Sequence, residues 1–239
     1  MKINNVLAIG LLMVISVSCV STGKITRHDF DSGFYNLKIQ GAQPSRVYTK
    51  ITVDSIIIYP VITNGKKESP NMSSGTGIKL SKTKTDNYLN KSCFINNSVD
   101  IDLTSILFKY RQPKDDVPAQ FSADLNFAVF LGFRKDFYKM ASSVHPLHDE
   151  ISFIRQVGFD LGIFAGIGTS PVNPTNTNNK TSQQYDAMIF QKGIAGFISY
   201  GKMSLGLALG FDNLMDKNRP SWVFNQKPYF GLVIGISDF

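Results

Sequence analysis

Few residues in this chain have types and spacings suited to catalysis. His145 and His148 lie in a His-Pro-Leu-His-Asp-Glu run with Asp149 and Glu150. Two imidazoles beside carboxylates can ligate zinc, but a site needs a third or fourth ligand, and none stands out. The run reads instead as a solvated turn. Ser142, Ser143 and His145 share that turn, too close in sequence for easy nucleophile–base–acid geometry. Cys93 has no His near it in sequence to serve as its base. Gly166-Ile167-Gly168 is followed by Thr-Ser-Pro-Val-Asn-Pro and no helix, so it lacks the setting of a phosphate-binding loop. The expectation is a protein without catalytic residues, metal site or cofactor, and not an enzyme.

A second set of charged residues is distinguished by phase. Asp100, Asp102, Asp124, Arg134, Asp160 and Asp212 each fall at the polar step of a run that alternates with period two. Val99, Ile101, Leu103, Ser105 and Leu107 alternate with Asp100, Asp102 and Thr104. Phe121 to Phe133 keeps every second position apolar against Asp124, Gly132 and Arg134. Val157, Phe159, Leu161, Ile163, Ala165 and Ile167 alternate with Gly158, Asp160, Gly162, Gly166 and Gly168. Met203 to Phe211 alternates with Ser204, Gly206, Ala208, Gly210 and Asp212, and Phe230, Leu232, Ile234 and Ile236 with Gly231, Gly235 and Ser237. A further run covers Val47 to Tyr59, residues 187–200 alternate less cleanly, and a weaker strand covers 77–81.

These runs must be strands, and several are ten residues or longer, against ~5–6 in ordinary sheets. A tilted strand of ~9–11 residues crosses a bilayer. One apolar face and one small or polar face suit a barrel whose apolar side meets lipid. Charge on that side costs ~2–4 kcal/mol at mid-bilayer, so the six charged residues belong to a polar network in the lumen. About eight strands give an interior just filled by side chains. The expected fold is therefore all-β: an antiparallel up-and-down transmembrane β-barrel of about eight strands over residues 46–239, with a narrow, side-chain-filled lumen.

Loop lengths agree at the carboxyl-terminal end. The tight turn Tyr200-Gly201-Lys202 lies between long polar loops at 169–184 and 215–227, as short periplasmic turns alternate with long outer loops. Residues 138–150 and 82–97 are long where short turns belong. Trp222, Phe224 and Tyr229 near the last loop read as interfacial aromatics. Phe239, ending the last strand, is a signal that barrel assembly machinery reads.

The amino terminus and the composition supply the setting. Lys2, the apolar run 6–15 and Ser16-Val17-Ser18 form a Sec signal peptide over 1–18, followed by a segment 19–45. Two readings stand: cleavage by signal peptidase I at or soon after Ser18, or a lipoprotein with Cys19 as the lipidated residue. The chain of 239 residues is 43% hydrophobic and only 18% charged, with 18 Phe and 19 Gly. That excludes a disordered chain, and two cysteines exclude a disulfide scaffold. The net charge of +7 is dispersed through loops, with no basic helix or nucleic-acid motif, so no nucleic-acid partner is expected.

The last 120 or so residues resemble the outer-membrane β-barrel proteins of Bacteroidota-type Gram-negative bacteria. VDIDLTSILFKYR, FSADLNFAVFLGFR, GFDLGIFAGIGTSPVNP and GLALGFDNLMDKNRPSWVFNQKPYFGLVIGI carry the likeness. Within the last, Gly210-Phe211-Asp212, Trp222 and Gln226-Lys227-Pro228 keep the group's order. The resemblance implies a barrel in the outer membrane, with outer-membrane lipids and lipopolysaccharide as partners, and a structural, adhesive or surface-interaction role. It fixes no oligomeric state. Two other readings stay open: an exported barrel or sandwich lipoprotein that binds a small ligand, and an outer-membrane lipid-modifying enzyme.

Overall fold

The computed structural model describes residues 30–52, 55–65, 67–79, 92–114, 116–145, 148–201 and 203–236. Residues 1–18, Cys19 and Phe239, on which the export, lipidation and assembly readings rest, lie outside these. The described chain is all-β and its strands pair antiparallel. Five strands come first: β1 (Gly33–Ile39), β2 (Ser45–Ile51), β3 (Ser55–Asn64), β4 (Lys67–Pro70) and β5 (Thr76–Lys79). Then follow β6 (Ser92–Arg111), β7 (Gln120–Ser122), β8 (Asn126–His145), β9 (His148–Val172), β10 (Tyr185–Tyr200), β11 (Met203–Leu214) and β12 (Pro228–Ile236). No helix among the described residues is long and apolar enough to cross a membrane, which says nothing about strands.

Six of these strands curl into a ring. The order runs β12-β11-β10-β9-β8-β6, and β12 pairs in turn with β6. The closing seam is partial: Tyr229–Gly235 meet only residues 104–111 of β6. At its other end β6 pairs on that side with β1, through Ser92–Ile95. Among the described residues there are twelve strands rather than the expected eight, six of them in the ring. Alternation marks a strand but not its partner, so the ring's closure between β6 and β12 is not written in any one segment.

Several inward positions of the ring are glycines with no room for a side chain. A Cβ on Gly162 would run into the carbonyl of Leu131, one on Gly166 into that of Phe127, and one on Gly193 into that of Leu209. Glycine at these positions lets neighbouring backbones close up around a narrow interior.

The amino-terminal strands form a flanking sheet. Residues 47–51 and 55–59, expected as one barrel strand, belong to two strands that pair with each other: Ile51 pairs with Ile56 and Thr49 with Ile58. Thr52 makes the turn, its N–H donating to the Ser55 carbonyl at 2.9 Å and its Oγ1 accepting from the Ser55 N–H at 3.1 Å. The expected boundary at 45/46 falls within this sheet, because β1 and β2 already belong to it. Tyr35, Leu37 and Ile39 alternating with Asn36 and Lys38 is the strand signal for β1. The core here is of the ordinary kind: Tyr35, Leu37, Val47, Ile56, Ile58, Phe94 and Tyr138 are buried together.

The long segment at 138–150 is not a loop. β8 runs on to His145 and β9 begins at His148, with these two residues paired. The connection is therefore as short as that at Gly201, at the same end of the ring. Longer connections, at 112–119, 173–184 and 215–227, lie at the opposite end.

Candidate functional site

The ring is mostly apolar outside, with Lys135 and Lys192 exposed among the apolar rows, and charged inside. Leu161 is 67% and Phe133 78% exposed, with Val99, Ile101, Leu131, Ile163, Ile194, Leu205, Leu207 and Phe230 exposed in the same outward phase. Arg134, the neighbour of Phe133, is 1% exposed. Alternate side chains point to opposite sides of a strand, so each strand presents one mostly apolar set outward.

Two charged layers fill the interior. Near the short turns, Arg134 donates through Nε to Asp136 at 3.0 Å and through Nη1 to Asp160 at 3.3 Å, and lies 3.7 Å from Asp100. Ser199 donates to Asp160 at 3.1 Å and shares a 2.8 Å hydrogen bond with Ser204. Gln156 donates to Asp136 at 3.0 Å. Asp102 is half-buried beside Asp100. Nearer the long loops, Asp212 accepts from Lys109 at 2.9 Å and from Arg111 at 2.6 Å. Arg111 also donates to Ser122 at 3.1 Å and Ser170 at 3.3 Å. The Lys109 ammonium sits 4.5 Å from the centre of the Tyr229 ring.

An apolar layer separates the two. Ile106, Ala128, Phe130, Phe164, Ala195, Phe197, Ala208 and Val233 pack there, with Phe130 and Phe197 edge to face at 4.9 Å. Above the Arg111 layer, the long-loop end is closed by a second apolar group that includes Val117, Val172, Ile189, Leu214, Trp222 and Phe224. Buried charges in such a setting are held by pairing, since an unpaired one costs several kcal/mol. The interior can thus lock the ring's geometry. Among the described residues no group of three metal-ligating side chains occurs.

Of the six charged residues read from phase, Asp100, Arg134, Asp160 and Asp212 are buried and ion-paired inside the ring. Asp102 and Asp124 are half-buried on the same face, and the buried Asp124 Oδ2 makes no hydrogen bond among the described residues. Asp136, Lys109 and Arg111 belong to the network as well and escaped the alternation. Asp136 lies where the β8 pattern continues past Arg134. Lys109 and Arg111 are inverted by a bulge: opposite Leu232 and Val233 the register of β6 slips past Leu107, so inward positions change from even to odd. The signal for it is the shift of apolar residues from Leu107 to Phe108 and Tyr110.

The aromatic assignment requires correction. Trp222, Phe224 and Tyr229 are 3%, 2% and 1% exposed, within the ring and its cap rather than at a lipid interface. The loop after β11 folds back over the opening, and Arg111 lies 5.6 Å from the Trp222 ring and 5.8 Å from Phe224. A guanidinium already paired with Asp212 presents its faces to aromatic rings, which draws these side chains inward. Backbone bonds hold the cap, with the Val223 N–H donating to the Asn176 carbonyl at 3.0 Å and the Gln226 N–H to that of Asp212 at 2.7 Å.

Comparison with known proteins returns no match: no protein family, curated relative or solved structure corresponds to the chain.

Proposed function

We propose that the chain is an outer-membrane β-barrel protein whose six-stranded ring crosses the bilayer, without catalysis, in a structural, adhesive or surface-interaction role. The observation that carries this reading is the inside-out ring: a broad exposed apolar face outside, broken by Lys135 and Lys192, and buried ion pairs inside. A soluble protein rarely exposes an apolar patch of this extent. On β9 the outward apolar positions run over eleven residues, 157–167. At about 3.3 Å per residue that is about 33 Å along the strand, or about 25 Å of height at a tilt of ~40°, the height of a lipid-facing band.

The connections between ring strands support the same reading: β8–β9 and β10–β11 are joined by short turns at one end, while those at 112–119, 173–184 and 215–227 at the other end are long. Layers of packed aromatics above and below the Arg111–Asp212 pair leave the lumen filled, so the ring does not conduct. Six strands are fewer than the eight of small outer-membrane barrels, and the inward glycines supply the tighter curvature. The resemblance to Bacteroidota-type barrels, with lipopolysaccharide and the assembly machinery as partners, belongs to this proposal.

Membrane fractionation of the expressed full chain tests it. The protein is expected to stay with membranes through carbonate washing, to need detergent for release, and to shift in gel mobility on heating. Release by carbonate alone overturns the reading.

A further inference from the structure

One feature of the outer face is not explained by an apolar band. At the short-turn end, outward residues of four adjacent strands stand in register: Lys38 opposite Cys93, Cys93 opposite Lys139, and Lys139 opposite Arg155. Lys38, Lys139 and Arg155 are exposed. Lys135, also exposed, lies four residues from Lys139 along β8, opposite Phe159, its ammonium 5.7 Å from the Phe137 ring. The next row toward the band is Asn36, Ile95, Phe137, Val157 and Tyr200, and the one after it Asn97, Lys135, Phe159 and Ile198. Neither row contains a carboxylate. Phe137, Lys139, Arg155, Val157 and Phe159 line a hollow of about 400 Å³.

The chemistry of this hollow is divided. Its floor is apolar, with Phe137 and Phe159 edge to face at 6.0 Å. Its rim is cationic, with Lys139 and Arg155 directly opposite each other across the β8–β9 pair, where side chains start about 5 Å apart. Two cations at that spacing can hold one phosphate between them, the guanidinium in bidentate fashion. The row lies where the apolar band ends, so a phosphate held there would carry its acyl chains onto Phe137, Val157 and Phe159.

Resting on the proposed membrane reading, we infer that Lys139 and Arg155, supported by Lys38 and Lys135, form a binding site for the headgroup of an anionic glycerophospholipid in the leaflet at the short-turn end. Charge complementarity selects that occupant. A zwitterionic headgroup brings its own cation to the row, and a protein partner would have to displace lipid from the apolar floor.

The test uses the folded full chain reconstituted into phosphatidylcholine vesicles holding a minor share of spin-labelled phosphatidylglycerol. Electron paramagnetic resonance then reads the share of labelled lipid immobilised at the protein surface, against labelled phosphatidylcholine. The unaltered chain is expected to prefer phosphatidylglycerol. Lys139→Gln and Arg155→Gln are each expected to weaken the preference roughly fivefold, the worth of one cation near a membrane surface. Lys180→Gln, exposed in a loop at the far end, is expected to leave it unchanged. A chain that inserts but shows no preference, or whose preference survives the double substitution, overturns the site and leaves the membrane reading intact. A chain that fails to insert overturns the membrane reading itself.

Discussion

The ring and the flanking sheet are built from the same alternating strands yet bury opposite faces. In the flanking sheet Ile56, Leu37 and Val47 point into a shared core and Arg46 points out, paired with Glu68 at 3.2 Å. In the ring Leu161 and Phe133 point out and Arg134 points in. β6 and β8 contribute to both, with Phe94 and Tyr138 in the sheet's core and Asp100 and Arg134 in the ring on the same faces a few residues on. A face is therefore not apolar or polar by virtue of its strand. Its composition follows what lies opposite it, a second layer of side chains in one region and, in the proposed setting, lipid in the other.

Removing charge from the ring interior should give the largest effect. Arg134→Met leaves Asp136, Asp160 and Asp100 without their guanidinium and is expected to cost about 3–5 kcal/mol. Equilibrium urea unfolding in lipid vesicles measures it, and a loss below about 1 kcal/mol would show the network to be dispensable.

Truncating apolar side chains should then separate the two regions. Ile56→Ala opens a cavity in the sheet's core and is expected to cost about 2–4 kcal/mol in any solvent. Leu161→Ala removes a side chain already exposed and should change little in detergent. Equal losses from the two would mean that the ring's outer face is packed against protein.

Adding charge sharpens the contrast from the other side. Leu161→Arg is expected to lower stability by about 2–4 kcal/mol in a bilayer. At Asn97, near the end of the band, the same substitution should cost about 1 kcal/mol or less. Refolding titrations of both variants into vesicles read the difference, and matching values would remove the depth dependence that lipid imposes.

The smallest expected effect is a pH dependence confined to the flanking sheet. Burial pushes the Tyr35 hydroxyl up to about 12, and the group donates to the Asp31 carbonyl at 2.7 Å. A raised phenol pKa means that the folded state holds its proton more tightly than the unfolded chain does. The stabilisation is complete below about pH 10 and is lost as pH rises toward about 12. Tyr35→Phe should flatten this alkaline limb, measured by hydrogen exchange of β1 and β2 amides. An unchanged limb would assign the effect to another group.

Much of the ring was legible in the chain, because a period of two is a local property. It marks Phe121 to Phe133, residues 157–167 and Met203 to Phe211 as strands, and places Asp100, Arg134, Asp160 and Asp212 on one face without any contact being known. It fails where a single residue changes the phase. The bulge past Leu107 reverses β6 and hides Lys109 and Arg111, the two partners of Asp212. It fails again where length misleads, since the turn-rich look of 138–150 conceals two strands that run on to His145 and from His148.

Local alternation thus determined strand character and the outward and inward sets. Tertiary structure alone decided that β12 closes on β6, that β1, β2 and β3 extend the sheet from β6 with their apolar side inward, and that Trp222 and Phe224 turn inward over Arg111. The physical reason is the range of the interactions. Which side of a strand a residue occupies is set by backbone geometry over two residues. Which strand lies beside it, and what faces it, depends on pairings across as many as 130 positions, such as the Thr104 hydroxyl donating to the Ile234 carbonyl at 3.0 Å.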